Sequence, residues 1–94
     1  MSQPNANGLR DLVDLPGPFS FKVIVNPEFL GREAVVALIG DTLGRDLGSP
    51  DWRATPSKNG KYMSYTVDVH IEVFEEIEKL YAVFKAEQHV VYAM

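Results

Sequence analysis

The chain has 94 residues, a formal net charge of -4 and no cysteine, which allows one hydrophobic core and excludes disulfides, a thiolate metal site and a cysteine nucleophile. No apolar run approaches the ~18 residues of a membrane span, and the first residues lack the apolar core of a signal peptide, so a soluble cytoplasmic protein is expected. The acidic charge gathers at Glu72, Glu75, Glu76, Glu78 and Glu87 against Lys79 and Lys85; such a segment repels phosphate backbones, so neither nucleic acid nor membrane is an expected partner.

Residues 1–8, MSQPNANG, are small and polar and read as a disordered N-terminal tail. Residues 9–18 read as a short clasp, in which Leu9, Leu12, Val13 and Leu15 are spaced for one helical turn and Pro16-Gly17-Pro18 ends it. The folded domain is expected over residues 19–94. Its first strand is FSFKVIV at 19–25, where Phe19, Phe21, Val23 and Val25 alternate with Ser20, Lys22 and Ile24 to make one buried face.

Asn26-Pro27-Glu28 reads as a helix start, with a side-chain acceptor at the N-cap, proline at the first helical position and a carboxylate in the first turn. This helix is expected to reach about Leu43, with Phe29, Val35, Val36, Leu38, Ile39 and Leu43 inward, and Gly44 or Gly48 ends it. Asn59-Gly60 then marks a two-residue hairpin turn between strands at 51–57 and 61–71. Stepping outward pairs Pro56 with Met63, Ala54 with Tyr65 and Trp52 with Val67 on an apolar face. Ser57 with Tyr62, Thr55 with Ser64, Arg53 with Thr66 and Asp51 with Asp68 make a polar one.

From Glu72 to about Ala86, Val73, Phe74, Ile77, Leu80, Tyr81 and Phe84 form a helical stripe opposite the glutamates, although the N-cap is poorly marked. HVVYAM at 89–94 reads as a last strand with Val90, Tyr92 and Met94 inward. The expected fold is α+β, a ferredoxin-like βαββαβ arrangement whose four-stranded antiparallel sheet carries two helices on one face.

Three fragments, LPGPFSFKV at 15–23, TPSKNGKYMS at 55–64 and IEKLY at 77–81, resemble the YbeD-like proteins, a family of small bacterial proteins of unknown function. The matching segments include Pro16, Pro18 and Phe19, and Ser57, Gly60, Tyr62 and Ser64; Glu72 and Val73 depart from the family's more polar helix cap. The resemblance implies a fold similar to regulatory ACT domains, a bacterial cytosolic setting and no established activity. It supplies no catalytic residues.

The residues themselves offer several chemistries. Lys58 and Lys61 flank the Asn-Gly turn and are a candidate anion contact, weighed against simple solubility of a hairpin tip; the spacing of a nucleotide-binding P-loop is missing. GKYMSYTV faintly resembles an RNA-reading strand, but only Tyr62 faces outward and Ser64 occupies the next stacking position. Ser64, Asp68 and His70 can be written as a hydrolase triad, yet Ser64 and His70 stand ~20 Å apart along one strand.

His70 and His89 make a poor zinc site without cysteines or a third ligand, and no metal or cofactor is implied. The uncovered sheet face is the informative surface, with Lys22, Ile24, Tyr62, Ser64, Val91 and Ala93 as a candidate interaction surface for an unknown protein partner or a second copy. The alternative is an ACT-like regulatory domain that binds a small metabolite as a homodimer, with Asn26, Pro27 and Gly31 as its candidate ligand loop. A non-enzymatic module is expected in either case.

Overall fold

The computed structural model describes residues 13–94. The expected tail and the clasp residues Leu9 and Leu12 lie outside the described residues, whereas Val13 and Leu15 pack against the core. The order is β1 (Gly17–Val25), α1 (Arg32–Leu43), β2 (Trp52–Pro56), β3 (Met63–Ile71), α2 (Phe74–Ala86) and β4 (Val90–Ala93). The four strands form one antiparallel sheet in the order β2-β3-β1-β4. This is the ferredoxin-like βαββαβ arrangement.

The alternation in β1 has its expected effect. Phe21, Val23 and Val25 are fully buried, and they meet Val35 and Ile39 of α1, Tyr65, Val67, Val69 and Ile71 of β3, and Phe74, Ile77, Leu80 and Phe84 of α2 in one core. Phe21 is its aromatic centre, edge-on to Tyr81 and Phe84 with centroids at 5.5 and 6.0 Å, a geometry that suits the ring quadrupoles.

The first helix begins later than Asn-Pro-Glu suggests. Asn26 accepts a hydrogen bond from the Glu28 N–H through its side chain, at 3.1 Å, and its carbonyl takes the N–H groups of Phe29 and Leu30. One isolated turn results, and extended backbone at Gly31 (φ -95°, ψ -179°) separates it from α1, so Gly31 is the N-cap residue and Phe29 is exposed. The other end follows expectation: Gly44 adopts φ 71°, and the N–H groups of Gly44 and Arg45 close on the Gly40 carbonyl.

The hairpin keeps its expected register, Pro56 with Met63, Ala54 with Tyr65 and Trp52 with Val67, but not its expected turn. Ser57 donates its N–H to Tyr62 O, Gly60 donates to Ser57 O, and only Gly60 has positive φ, 76°. The loop is therefore a four-residue connection, Lys58 to Lys61, with a left-handed glycine after the turn. Nor does β2 join the core. Every residue of β2 is exposed; Trp52 is 43% exposed, with the Arg32 guanidinium carbon of α1 4.2 Å from the centre of its indole.

Helix α2 starts at Phe74 behind Val73, which offers no side-chain cap and is itself exposed. The Glu76 carboxylate compensates by accepting the Glu72 N–H at 2.9 Å. Arg45, from the loop after α1, donates two bonds to the same carboxylate at 2.8 and 3.2 Å and a third to the carbonyl of His70 at 2.7 Å. A single side chain thus ties the end of α1 to β3 and to the start of α2. The hydrogen bonds from Arg45 are the main reason that the Glu76 carboxyl is held below its ordinary range, and the same contact raises the guanidinium.

Candidate interaction surface on the open sheet face

Both helices lie on one side of the sheet, and the other side is uncovered. Its composition follows from the registers, because residues opposite one another on antiparallel strands point to the same face. Ile24 stands beside Ser64, which stands beside Thr55; Lys22 stands beside Thr66, which stands beside Arg53; Ser20 stands beside Asp68. Lys22, Ile24, Tyr62 and Ser64 lie together on this side of the sheet.

The contribution of β4 differs from expectation. Val23 pairs with Ala93 and Ile24 with Tyr92, but Val25 pairs with Val90, so Val91 is the extra residue of a β-bulge. A bulge shifts the alternation by one. Val90 and Ala93 consequently pack toward the core, and Tyr92 takes the open-face position beside Ile24. Met94 exchanges both backbone hydrogen bonds with Lys22, at 2.8 Å each, and completes that row.

Val91 and Ala93 therefore do not belong to the open face, and Tyr92 and Met94, expected inward, are 59% and 47% exposed. Val91 lines a groove of about 520 Å³ between α2 and β4 with Tyr81, Phe84, Lys85 and the edge of Tyr92. Burial there pushes the Tyr81 phenol above its ordinary pKa. Nothing in HVVYAM announces the bulge or the groove beside it.

A shallow depression of about 540 Å³ runs across the open face between β1 and the hairpin. Lys22, Ile24, Arg53, Tyr62, Ser64 and Thr66 line it, and its lining includes no carboxylate. Lys22 and Arg53 have no ion-pair partner among the described residues. Lys58 and Lys61 are exposed beyond its hairpin end, the Lys61 ammonium lying 5.4 Å from the centre of the Tyr62 ring.

The written triad does not assemble. The Asp68 carboxylate accepts a hydrogen bond from Ser20, and His70 Nε2 bonds to Glu72 at 2.6 Å; neither group addresses Ser64. His89 is also engaged elsewhere, stacked on Phe29 with centroids 4.7 Å apart and planes 15° apart. Among the described residues no three histidine, aspartate or glutamate side chains are placed to hold a metal ion. No helix among them is long and apolar enough to cross a membrane.

Residues 10–94 match the family described as "Protein of unknown function (DUF493)". The chain belongs to that family. This is the family of the YbeD-like proteins that the three sequence fragments resemble. The solution structure of protein HP0495 from H. pylori superposes with a TM-score of 0.69 at 15% identity, covering 100% of this chain and 98% of that one. At that identity the likeness concerns the fold. No curated protein matches.

Proposed function

We propose that this DUF493 chain is a non-enzymatic protein-interaction or regulatory module that meets its partner through the open sheet face. The observation that carries this reading is the bulge in β4, which brings Tyr92 and Met94 beside Ile24 and Lys22. Tyr92 and Ile24 thereby form an apolar pair beside the depression lined by hydroxyls, the Tyr62 ring, Lys22 and Arg53, the anatomy of a contact with apolar and polar parts. A fold that only needed solubility would gain nothing from turning Tyr92 outward where Ala93 could stand.

A second reading, an ACT-like regulatory domain binding a small metabolite as a dimer, draws support from a different place. The exposed Phe29 ring stacks flat on the half-buried His89 imidazole beside Asn26, Pro27 and Gly31. Rings presented this way suit a planar or cationic small molecule.

One experiment separates the two. A photo-crosslinking benzoylphenylalanine is placed at Tyr92, at Phe29 or at Glu78 on the outer surface of α2, and the cells are irradiated. The open-face reading predicts a discrete protein adduct from Tyr92, its loss when Ile24→Glu is added, and none from Glu78. Adducts from Phe29 alone, corresponding to a second copy of the chain, would favour the metabolite-binding dimer. Equal labelling from all three positions, or none from Tyr92, contradicts the open-face reading.

A further inference from the structure

Within the open-face reading, on which this step rests, we infer that the partner presents an acidic segment whose carboxylates lie over the row Lys22–Thr66–Arg53, with an apolar side chain over Ile24 and Tyr92. Two exposed cations with no ion-pair partner among the described residues stand in one row of the sheet, separated by a single hydroxyl residue. With two strand spacings between them, their Cα atoms are about 10 Å apart. Long, flexible arms from both sides can close on a pair of carboxylates one helical turn apart, whose Cβ atoms are about 6 Å apart. Thr66 between them offers a hydroxyl donor to the same group.

The charge pattern is local and does not follow the protein's sign. The whole chain carries -4, yet the depression around this row has two cationic side chains and no carboxylate in its lining. The adjoining row is the opposite, with Ser20, Asp68 and the exposed Asp51, whose carbonyl accepts the Asp68 N–H at 2.9 Å. An acidic segment is therefore attracted to one row and repelled from the next, which fixes its position along the strands as well as its sign. The row on the other side, Tyr92–Ile24–Ser64–Thr55, carries apolar side chains at its β4 and β1 positions. A segment with carboxylates on one turn and a leucine or similar residue on the adjacent turn matches both rows at once.

A nucleic acid is the less fitting occupant. Two cations are few for a phosphate backbone, and the glutamates of α2 repel it at longer range. Tyr62, at the hairpin end of β3, and Tyr92, on β4, have β1 between them, so successive bases find no continuous stacking platform.

The test uses the full chain and three probes: a helical peptide with two glutamates four residues apart beside a leucine, its twin with glutamines, and a single-stranded oligothymidine. Amide NMR shifts report both site and affinity. The acidic peptide is expected to move Lys22, Thr66 and Arg53 and to bind about tenfold more tightly than the glutamine twin; the double variant Lys22→Gln/Arg53→Gln loses that same factor. Added salt weakens the acidic peptide and leaves its twin almost unchanged.

Equal affinity for both peptides, absence of shifts on these three residues, or tighter binding of the oligonucleotide overturns the inference. The crosslink from Tyr92 tells this failure apart from failure of the broader reading. If the adduct persists in Lys22→Gln/Arg53→Gln, the face is a contact that does not select acidic partners; if wild type yields no adduct, the face is not a contact. Both side chains are exposed and have no ion-pair partner among the described residues, so the double variant should retain the wild-type circular dichroism spectrum.

Discussion

Phe21→Ala is expected to remove about 3–5 kcal/mol of stability, a large share of the roughly 5–15 kcal/mol that holds a domain of this kind together. Phe21 is fully buried at the middle of β1, and its ring meets Phe19, Tyr81 and Phe84. Truncation loses the transfer free energy of the ring and leaves a cavity between a central strand and α2. Rigid neighbours on both sides keep that cavity from collapsing. The midpoint of thermal unfolding should fall by about 12 °C or more, at about 4 °C or more per kcal/mol for a chain of this length. Lys22→Ala, one residue along and on the opposite face, should change stability by less than about 0.5 kcal/mol. Urea unfolding followed by circular dichroism measures both, and similar values for the two would mean that the alternation in β1 is misassigned.

Arg45→Met should cost about 1–2 kcal/mol at neutral pH. The Arg45 and Glu76 side chains are 33% and 20% exposed, which sets the effect above that of a surface pair and below that of a fully buried one. The substitution leaves the Glu76 carboxylate with the backbone N–H groups of Glu72 and Val73 and frees the His70 carbonyl. Its pH dependence has a definite sign. The Glu76 pKa is lowered by folding, so its stabilising contribution is complete above the ordinary carboxylate value of 4.5 and disappears as pH falls through the lower folded value. The gap between wild type and Arg45→Met is therefore flat above pH 4.5 and narrows below it. A gap that widened on acidification would contradict the role given to Glu76.

Much of this fold is legible in the residues, and the misreadings have separate causes. The alternation in FSFKVIV gives the buried face of β1 because a central strand has no freedom to place it otherwise. The hairpin register is recovered even though its turn is of another type: a two-residue loop around Asn59-Gly60 and a four-residue loop from Lys58 to Lys61 give the same strand partners. Asn26-Pro27-Glu28 contains the right groups for a helix start, but Asn26 spends them on one isolated turn. Gly31 is where the backbone becomes extended, and spacing does not show which signal prevails.

Two further misplacements concern the candidate surface and its rim. Trp52 alternates correctly with the core residues of its hairpin, yet alternation says nothing about how far the helices reach, and β2 extends past their cover. In β4 a single unpaired residue, Val91, inverts the sides of Tyr92 and Ala93. Hydropathy cannot expose this, since Val91, Tyr92, Ala93 and Met94 are all acceptable inside or at a contact. Lys22 and Ile24 were identifiable as open-face residues from β1 alone. Their neighbours became known only through the paired backbone.

The bulge is the feature on which the open-face account rests, and proton–proton contacts in a methyl- and aromatic-labelled sample measure it directly. Cross-peaks from the Ile24 methyls to the Tyr92 ring, and from the Val23 methyls to the Ala93 methyl, are the expected result. Contacts from Ile24 to Val91, with the Tyr92 ring against Val23, would show an unbroken β4 running on from the Val25–Val90 pair and remove Tyr92 and Met94 from the surface proposed to bind the partner.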